Sequence, residues 1–474
     1  MNSANFTGKT AMNSTIYRLI IAIGLLGLAQ SSSAQEDLMD VYQRALQNDP
    51  VIREAEAIYL ATLEVKPQAR SSLLPQLSLS AGVTTNESRN PTPATNFQTG
   101  QPSTIVIATE TERGSSNFSL NLSQTIFDKR QYVTLRQADK SVLRADTDYQ
   151  LAKQDLLIRV SEAYFDVLAA DDTLTAERTA REAIGRQLEQ AERRFEVGLL
   201  AITDVQESQA GYDQAIATEI SAQRFLATAR EFLREIVGEY IEELASPADE
   251  IPLLSPDPAD ADEWVRVSLQ QNLALNSSRI AADIAQDDID VQRGSRLPIL
   301  RLSGSYSQSD SDTLRRNFFA DGSMNENPST SAPEGYNLSL NFSIPLYTGG
   351  FNSSRVQQAV YQHRAALESL ERVARQTERQ TRDSYLGVIA EIARVRALRQ
   401  AVQSSETALQ ATDAGFQVGT RTTVDVLVSQ NLLTRARTNY ARSRYDYILN
   451  VLRLQQAAGS LSVENLEEVN GWLN

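Results

Sequence analysis

The residues best placed to do chemistry lie in two short stretches that echo one another. Arg194–Gln209 reads RFEVGLLAITDVQESQ, and Gly415–Gln430 reads GFQVGTRTTVDVLVSQ. Superposing Phe195 on Phe416, an offset of 221 positions, also brings Val197 onto Val418, Gly198 onto Gly419, Asp204 onto Asp425, Val205 onto Val426 and Gln209 onto Gln430. The chemistry that these residue types support is electrostatic and conformational, not covalent. Gly198 and Gly419 can take the left-handed conformation that ends a helix. Thr203, and Thr422 or Thr423, can cap the following helix, with Asp204 or Asp425 beside its positive N-terminus. Each stretch reads as a sharp helix-to-helix reversal with a polar tip.

Nothing else in the chain offers a stronger site. His363, the single histidine, falls in a long helical run near Leu367, where packing or solvent is the expected surrounding. Glu242-Glu243 and Asp287-Asp288 read as solvated helix faces rather than acid–base pairs. No nucleophile–base motif, phosphate-cradling glycine loop or metal-spaced cluster occurs. The chain has no cysteine, which excludes disulfides, cysteine-held metals and a lipid attached through cysteine. No enzymatic activity, cofactor or metal is expected. The formal charge is −15, which argues against nucleic acid as a partner.

The elements that must position the tips are long helices. From Lys129 to Val197 there is no proline, and Leu135, Val142, Tyr149, Leu156 and Ala163 recur every seven residues. Ala138, Ala145 and Ala152 accompany them, small enough for close helix approach. As one helix this run would span about 100 Å. Thr203–Val237 would run back from the tip as a shorter arm. Val51–Ser72, interrupted by Pro67, could stack end to end on that arm, with Ser72 meeting Val237. In the second half Val360, Leu367, Ala374, Val388, Val395 and Val402 hold one register of sevens, and Thr423–Ala458 returns.

Between these helices the period changes to two. Leu77, Leu79, Ala81 and Val83 alternate with Ser78, Ser80, Gly82 and Thr84; Phe118, Leu120 and Leu122 alternate with Ser119, Asn121 and Ser123. Polar loops are expected over roughly Ser88–Gly114 and Asp310–Glu334. The second half repeats the plan: Leu300, Leu302 and Tyr306 face one way, as do Leu338, Leu340, Phe342 and Ile344. These are four strands with one apolar and one small, uncharged polar face.

The organisation is a signal segment (1–34), a first structural repeat (35–240, strands about 76–87 and 115–127, tip near 198–204), a proline- and acid-rich linker (241–262), a second repeat (263–459, strands about 298–309 and 335–346, tip near 419–425) and a C-terminal segment (460–474). Lys9 and Arg18, the ten-residue apolar run Leu19–Leu28 and the small residues Ser32-Ser33-Ala34 carry the signal reading. That run is too short to cross a bilayer as a helix, and no later stretch is apolar enough. A membrane role therefore needs a β-barrel. Four strands cannot close one, and an open sheet in lipid would leave backbone groups unpaired at several kcal/mol each. Several copies must share a barrel. Two would give eight strands, too narrow for an open channel, whereas three would give twelve.

The tips VGLLAITDVQ and VGTRTTVDVL, the turn SQTIFDKR, the segments SSLLPQLSLSAG and FSIPLYTGG, and the internal duplication resemble the TolC family of trimeric outer-membrane channel-tunnels, also called outer membrane factors. The resemblance covers about Glu36 to Trp472. It implies a mainly α fold with a small β part: a homotrimer with a shared twelve-stranded barrel in outer-membrane lipid and a long periplasmic α-helical barrel. The proline-rich middle and the C-terminal segment would form an equatorial collar. It further implies docking to a periplasmic adaptor (membrane fusion protein) and an inner-membrane pump of RND or ABC type, and export of drugs, small toxic molecules or secreted proteins. By matching positions, the gate or latch residues are Thr203, Asp204, Phe416 and Arg421. The pore constriction is at Asp425 and Val428, and the adaptor-docking tips are Gly198, Leu199, Gly419 and Thr420. Two positions depart from the family pattern. Phe416 replaces a tyrosine and loses its hydroxyl link, and Val428 replaces a second acidic ring one turn after the first. The competing architecture, a periplasmic coiled-coil adaptor or scaffold, explains the long helices but not the four amphipathic strands.

Overall fold

The computed structural model describes residues 35–91, 106–248 and 251–473. The expected signal segment lies outside them. Among the described residues ten helices and five strands follow in order. The first half holds α1 (Leu38–Asn48), α2 (Pro50–Leu63), α3 (Val65–Ser71), β1 (Gln76–Pro91), β2 (Val106–Phe127), α4 (Lys129–Glu196) and α5 (Ile202–Val237). The second holds α6 (Ala261–Gln271), α7 (Leu273–Gly294), β3 (Ile299–Phe319), β4 (Met324–Ser331), β5 (Glu334–Ser343), α8 (Phe351–Gln417), α9 (Thr423–Ala458) and α10 (Val463–Asn470).

The strands form one antiparallel sheet in the order β1-β2-β3, with β4 and β5 both on β3. The β3 register runs unshifted from Phe318↔Met324 to Ile299↔Ser343. β4 and β5 are thus one strand broken at Pro333, which has no N–H to give to the ladder. The described parts of the stretches expected as loops are largely strand: β1 continues to Pro91, β2 begins at Val106, and β3 runs on to Phe319; residues 92–105 of the first lie outside the described residues. These strand parts carry polar residues on both faces, so apolar alternation was absent as a signal. With 22 residues, β2 spans about 75 Å, far more than the roughly 25 Å of lipid that a barrel crosses.

In the half of the sheet nearer the helices, one face is apolar and exposed. Leu79 is opposite Leu120, Leu120 opposite Tyr306, and Tyr306 opposite Tyr336; Leu79 and Leu340 are each 62% exposed. The other face is a mesh of short side chains: the Ser80 and Ser119 hydroxyls lie 2.7 Å apart, and the Asn341 amide donates to Ser339 and Ser303. Among the described residues the outer edges of β1 and of β4–β5 have no strand neighbour.

Each long helix pairs with two shorter ones laid head to tail. Along α4, Asp49 is bonded to Arg159 (2.6 Å), Tyr59 stacks on Tyr149 (5.5 Å between centroids) and Lys66 pairs with Asp139 (2.7 Å). The descending partners make α2 and α3 antiparallel to α4, as α5 is through Glu219 with Arg178 and Arg181. The expected stack exists, but its junction is at the opposite end of α2–α3: the Asn48 amide donates to the Val237 carbonyl at 3.0 Å, and Ser72 lies toward the sheet. α9 and α7 meet likewise. There Asn272 donates to the Ala457 carbonyl at 3.0 Å and also caps α7 by accepting from the Leu275 amide.

The largest buried side chains gather at the waist. Tyr164 and Phe165 of α4 pack with Tyr445, Tyr447 and Ile448 of α9, beneath α1, α10 and the proline-rich segment. Tyr164 donates to the Ala245 carbonyl, Ala248 donates to the Trp472 carbonyl, and Tyr447 accepts from the Leu254 amide. The middle and C-terminal segments are therefore fastened to the same place. Asp287 departs from its expected solvated setting: it is 4% exposed and ion-paired to Arg136 (2.7 Å) and Lys140 (2.8 Å) across to α4. Burial opposes its charge, but those two partners prevail and hold its carboxyl below the usual range. His363 is half-buried and bonds to Gln286.

Candidate functional site

The tips lie at the end of each helical hairpin, farthest along the chain from the sheet. α4 ends at Glu196, Val197 caps it and Gly198 turns with φ +75°; α8 ends at Gln417, Val418 caps it and Gly419 turns with φ +80°. In both, the two N–H groups after the helix close back on it: Gly198 to Phe195 and Leu199 to Arg194, Gly419 to Phe416 and Thr420 to Gly415. These bonds satisfy carbonyls left over at a helix end. The Thr420 hydroxyl adds a second bond to the Gly415 carbonyl.

The two return helices begin differently. Thr422 caps α9: its hydroxyl accepts from the Asp425 amide, while the Asp425 carboxylate accepts from the Thr422 amide (2.9 Å) and hydroxyl (3.0 Å). Those bonds, with Arg421 nearby, hold the Asp425 carboxyl below its usual range. At the first tip the capping position is Ala201, not Thr203, which lies inside α5. Only half of the reciprocal arrangement survives there, the Asp204 carboxylate accepting from the Ala201 amide at 3.3 Å.

The structure brings some of the sequence-derived residues together and not others. Phe416 is 3% exposed beneath Arg194, whose guanidinium carbon stands 4.9 Å from the ring centroid. Its repeat counterpart Phe195 is 41% exposed. The Arg421 stem lies over Gly415, where an added Cβ would come within 2.7 Å of it. Among the described residues no hydrogen bond joins Arg421 to Asp204 within one chain. Val428 is exposed, as are Val197, Leu199, Ile202, Val418 and Val424 around the tips. Nothing comes within 4 Å of a Cβ built on Gly198 or Gly419, so both turns are open to solvent.

Sequence reasoning missed Arg194 and left the second cap open between Thr422 and Thr423; Thr422 is the cap, and Thr423 is buried inside α9. The repeat held a signal for the first: at offset 221 Arg194 stands opposite Gly415, a mismatch inside a matched block. The same alignment sets Ala201, not Thr203, opposite Thr422. Among the described residues no cluster of metal-ligating side chains occurs, and no helix is long and apolar enough to cross a membrane. The arrangement can hold two helical turns in a defined shape and present carboxylates, an arginine and apolar side chains at their ends.

A family model described as outer membrane efflux protein matches residues 41–239 and 264–460. The chain is 37% identical to outer membrane protein TolC of Vibrio cholerae over 451 residues, covering 94% of this chain and 96% of that relative. It is 35% identical to outer membrane protein TolC of Escherichia coli, covering 96% and 88%. It is also 28% identical to the alkaline protease secretion protein AprF of Pseudomonas aeruginosa, covering 91% and 86%. Among solved structures, the outer membrane protein VceC of Vibrio cholerae superposes with a TM-score of 0.70 at 19% identity, covering 89% of this chain and 96% of that one.

Proposed function

The chain belongs to the outer membrane efflux protein family, and from that premise we propose that three copies close one barrel and one tunnel through which inner-membrane pumps export their cargo. One observation carries the assembly: an exposed apolar sheet face ends in two unpaired edges, β1 and β4–β5. Lipid does not tolerate such edges. Three four-stranded sheets joined edge to edge give twelve strands, and strands spaced about 4.8 Å and tilted about 40° close a ring about 24 Å across. The four hairpin helices of each copy then line a continuous tunnel below. A solitary coiled-coil scaffold has no use for the sheet.

The tips form the gate. Thr203, Asp204, Phe416 and Arg421 restrain neighbouring hairpins; Arg421, whose charge lies near Asp425 but which makes no hydrogen bond to an acid among the described residues, reaches across a copy boundary. Each exposed link is worth only about 0–1 kcal/mol, so a ring of them sets a balance that docking of a partner can shift. Asp425 and Val428 line the constriction. Gly198, Leu199, Gly419 and Thr420, with the exposed apolar residues beside them, receive a periplasmic adaptor that links the channel to an RND or ABC pump. The cargo is drugs, small toxic molecules or secreted proteins, as the pump dictates. The proline-rich segment and the C-terminus form the collar.

The test uses the absence of native cysteine. Single cysteines along β1 combined with single cysteines along β5 should cross-link copies into a trimer on a non-reducing gel. Cross-linking that stops at two copies, or a single-copy species that conducts ions, removes the assembly.

A further inference from the structure

The sheet sorts its charges by face. Its strands carry seven acids: Glu87, Glu110, Glu112, Asp310, Asp312, Glu326 and Glu334. The register places every one on the face that bears Leu79, Leu120, Tyr306 and Tyr336: Glu87 is opposite Glu112, Glu110 opposite Arg316, Arg316 opposite Glu326, and Glu334 opposite Gln308. The opposite face, which becomes the inner wall when the sheet closes, carries no acid among the described residues. It does carry Arg113, Arg301 and Arg315. The hairpin stretch 92–105 has no charged residue of either sign.

Arg301 stands at the base of the sheet, where it is one of the charges acting on Asp128. Arg113 and Arg315 have no such neighbour. Arg113 is opposite Thr313 and Arg315 opposite Thr111, so the two are diagonal neighbours on adjacent strands, about 7–8 Å apart at the backbone. Both are exposed. The wall around them is Thr109, Ser115, Asn117, Ser309 and Asn317, and among the described residues the one bond of the pair is from Arg113 to the Ser311 hydroxyl at 3.5 Å. By contrast Arg316, one residue on and facing out, is tied to Glu110, Glu112 and Glu326. Two like charges left unneutralised on one wall, when seven acids occupy the other, demand a mobile counter-ion.

We propose that Arg113 and Arg315 form a ring that binds multivalent anions inside the outer half of the barrel. The inference rests on the closed-barrel reading above. Three copies bring six guanidiniums into a ring about 24 Å across, and a low-dielectric wall lined by one sign of charge concentrates the opposite sign. Guanidinium forks favour phosphate-type oxyanions held by two bonds. Since the ring faces the lumen, its ligand is a free anion rather than a lipid headgroup. The duct then changes sign along its length, from carboxylates at the helical tips to arginines at the outer mouth.

Inorganic pyrophosphate is the probe. Phosphorus NMR line broadening by the purified trimer in detergent should give a dissociation constant that rises about tenfold in R113Q/R315Q and little in R113K/R315K, which keeps the charge. In planar bilayers, pyrophosphate added on the barrel side should reduce conductance at lower concentration than on the tip side, and the glutamine variant should lose that difference. Equal binding by wild type and R113Q/R315Q, with both still trimeric and conducting, overturns the ring and leaves the barrel standing. A protein that forms no trimeric pore overturns the barrel and the ring together.

Discussion

Arg194, at the end of the first long helix, lies over the ring of Phe416, at the end of the second, with 4.9 Å between guanidinium carbon and ring centroid. It also donates to the Phe416 carbonyl at 3.5 Å. The two hairpins of one copy are thereby fastened to each other next to both turns. Arg194→Ala should lower tip stability by about 0.5–1 kcal/mol, whereas Phe416→Ala, which empties a buried site, should cost about 3–5 kcal/mol. Hydrogen exchange of amides in residues 190–200 and 410–425 measures both. Equal protection in Arg194→Ala and wild type removes the fastening.

Among the described residues Arg421 makes no hydrogen bond to an acid, so on the proposed assembly its latch would act between copies. Arg421→Ser should raise the single-channel conductance of the resting channel in planar bilayers. An unchanged conductance rejects the latch.

Asp425 has an observed role as a cap and a proposed one in the pore, and the two can be separated. If it lines the constriction of a trimer, it should bind cations, and Asp425→Ala should weaken block by multivalent cations. On the same reading, with Val428 one helical turn after Asp425, wild-type block should be weaker than in a Val428→Asp variant. As a cap, its folded carboxyl sits below the usual range because Thr422 bonds the charged form. A depressed value means that the stabilisation is present above the unfolded value, about 3.9, and is lost as pH falls through the folded one. Tip hydrogen exchange, corrected for its intrinsic rate, should therefore be flat from about pH 7 to pH 5 and rise only below about pH 4.

Gly419 and Gly459 share a φ of +80° but differ in surroundings. At Gly419 a methyl group meets open space; at Gly459 it would approach the Gln271 carbonyl oxygen to 2.5 Å. Gly419→Ala should lose about 1–2 kcal/mol from backbone strain, and Gly459→Ala clearly more, seen as a lower midpoint in thermal unfolding. Asn272→Ala should likewise destabilise more than Asn48→Ala, since Asn272 both joins and caps where Asn48 only joins. Equal midpoints within either pair would contradict this account.

What was legible depended on the type of signal. The long helices follow from heptads and missing prolines, and the turns at Gly198 and Gly419 from glycine between matched blocks. The apolar halves of the strands were legible because Leu and Ser alternate. Their outer halves were not, because Glu110, Thr111, Glu112 and Arg113 are polar on both faces and read as loop. Asp287 looked solvated because its partners, Arg136 and Lys140, are about 150 positions away. Thr203 looked like a cap because a threonine one residue before an aspartate fits that role locally; only alignment of the two halves sets Ala201 against Thr422.

Half of the long helical wall of the chain is interrupted at the waist. α4 and α8 run through it as unbroken rods, whereas α5 gives way to α2 at Asn48 and α9 to α7 at Asn272, each seam bridged by a single amide–carbonyl bond. An unbroken rod carries torque along its whole length, while an abutted pair has no continuous backbone ladder across the seam. On the proposed assembly, alternating rigid and jointed members would let the tip end twist while the sheet end keeps its shape.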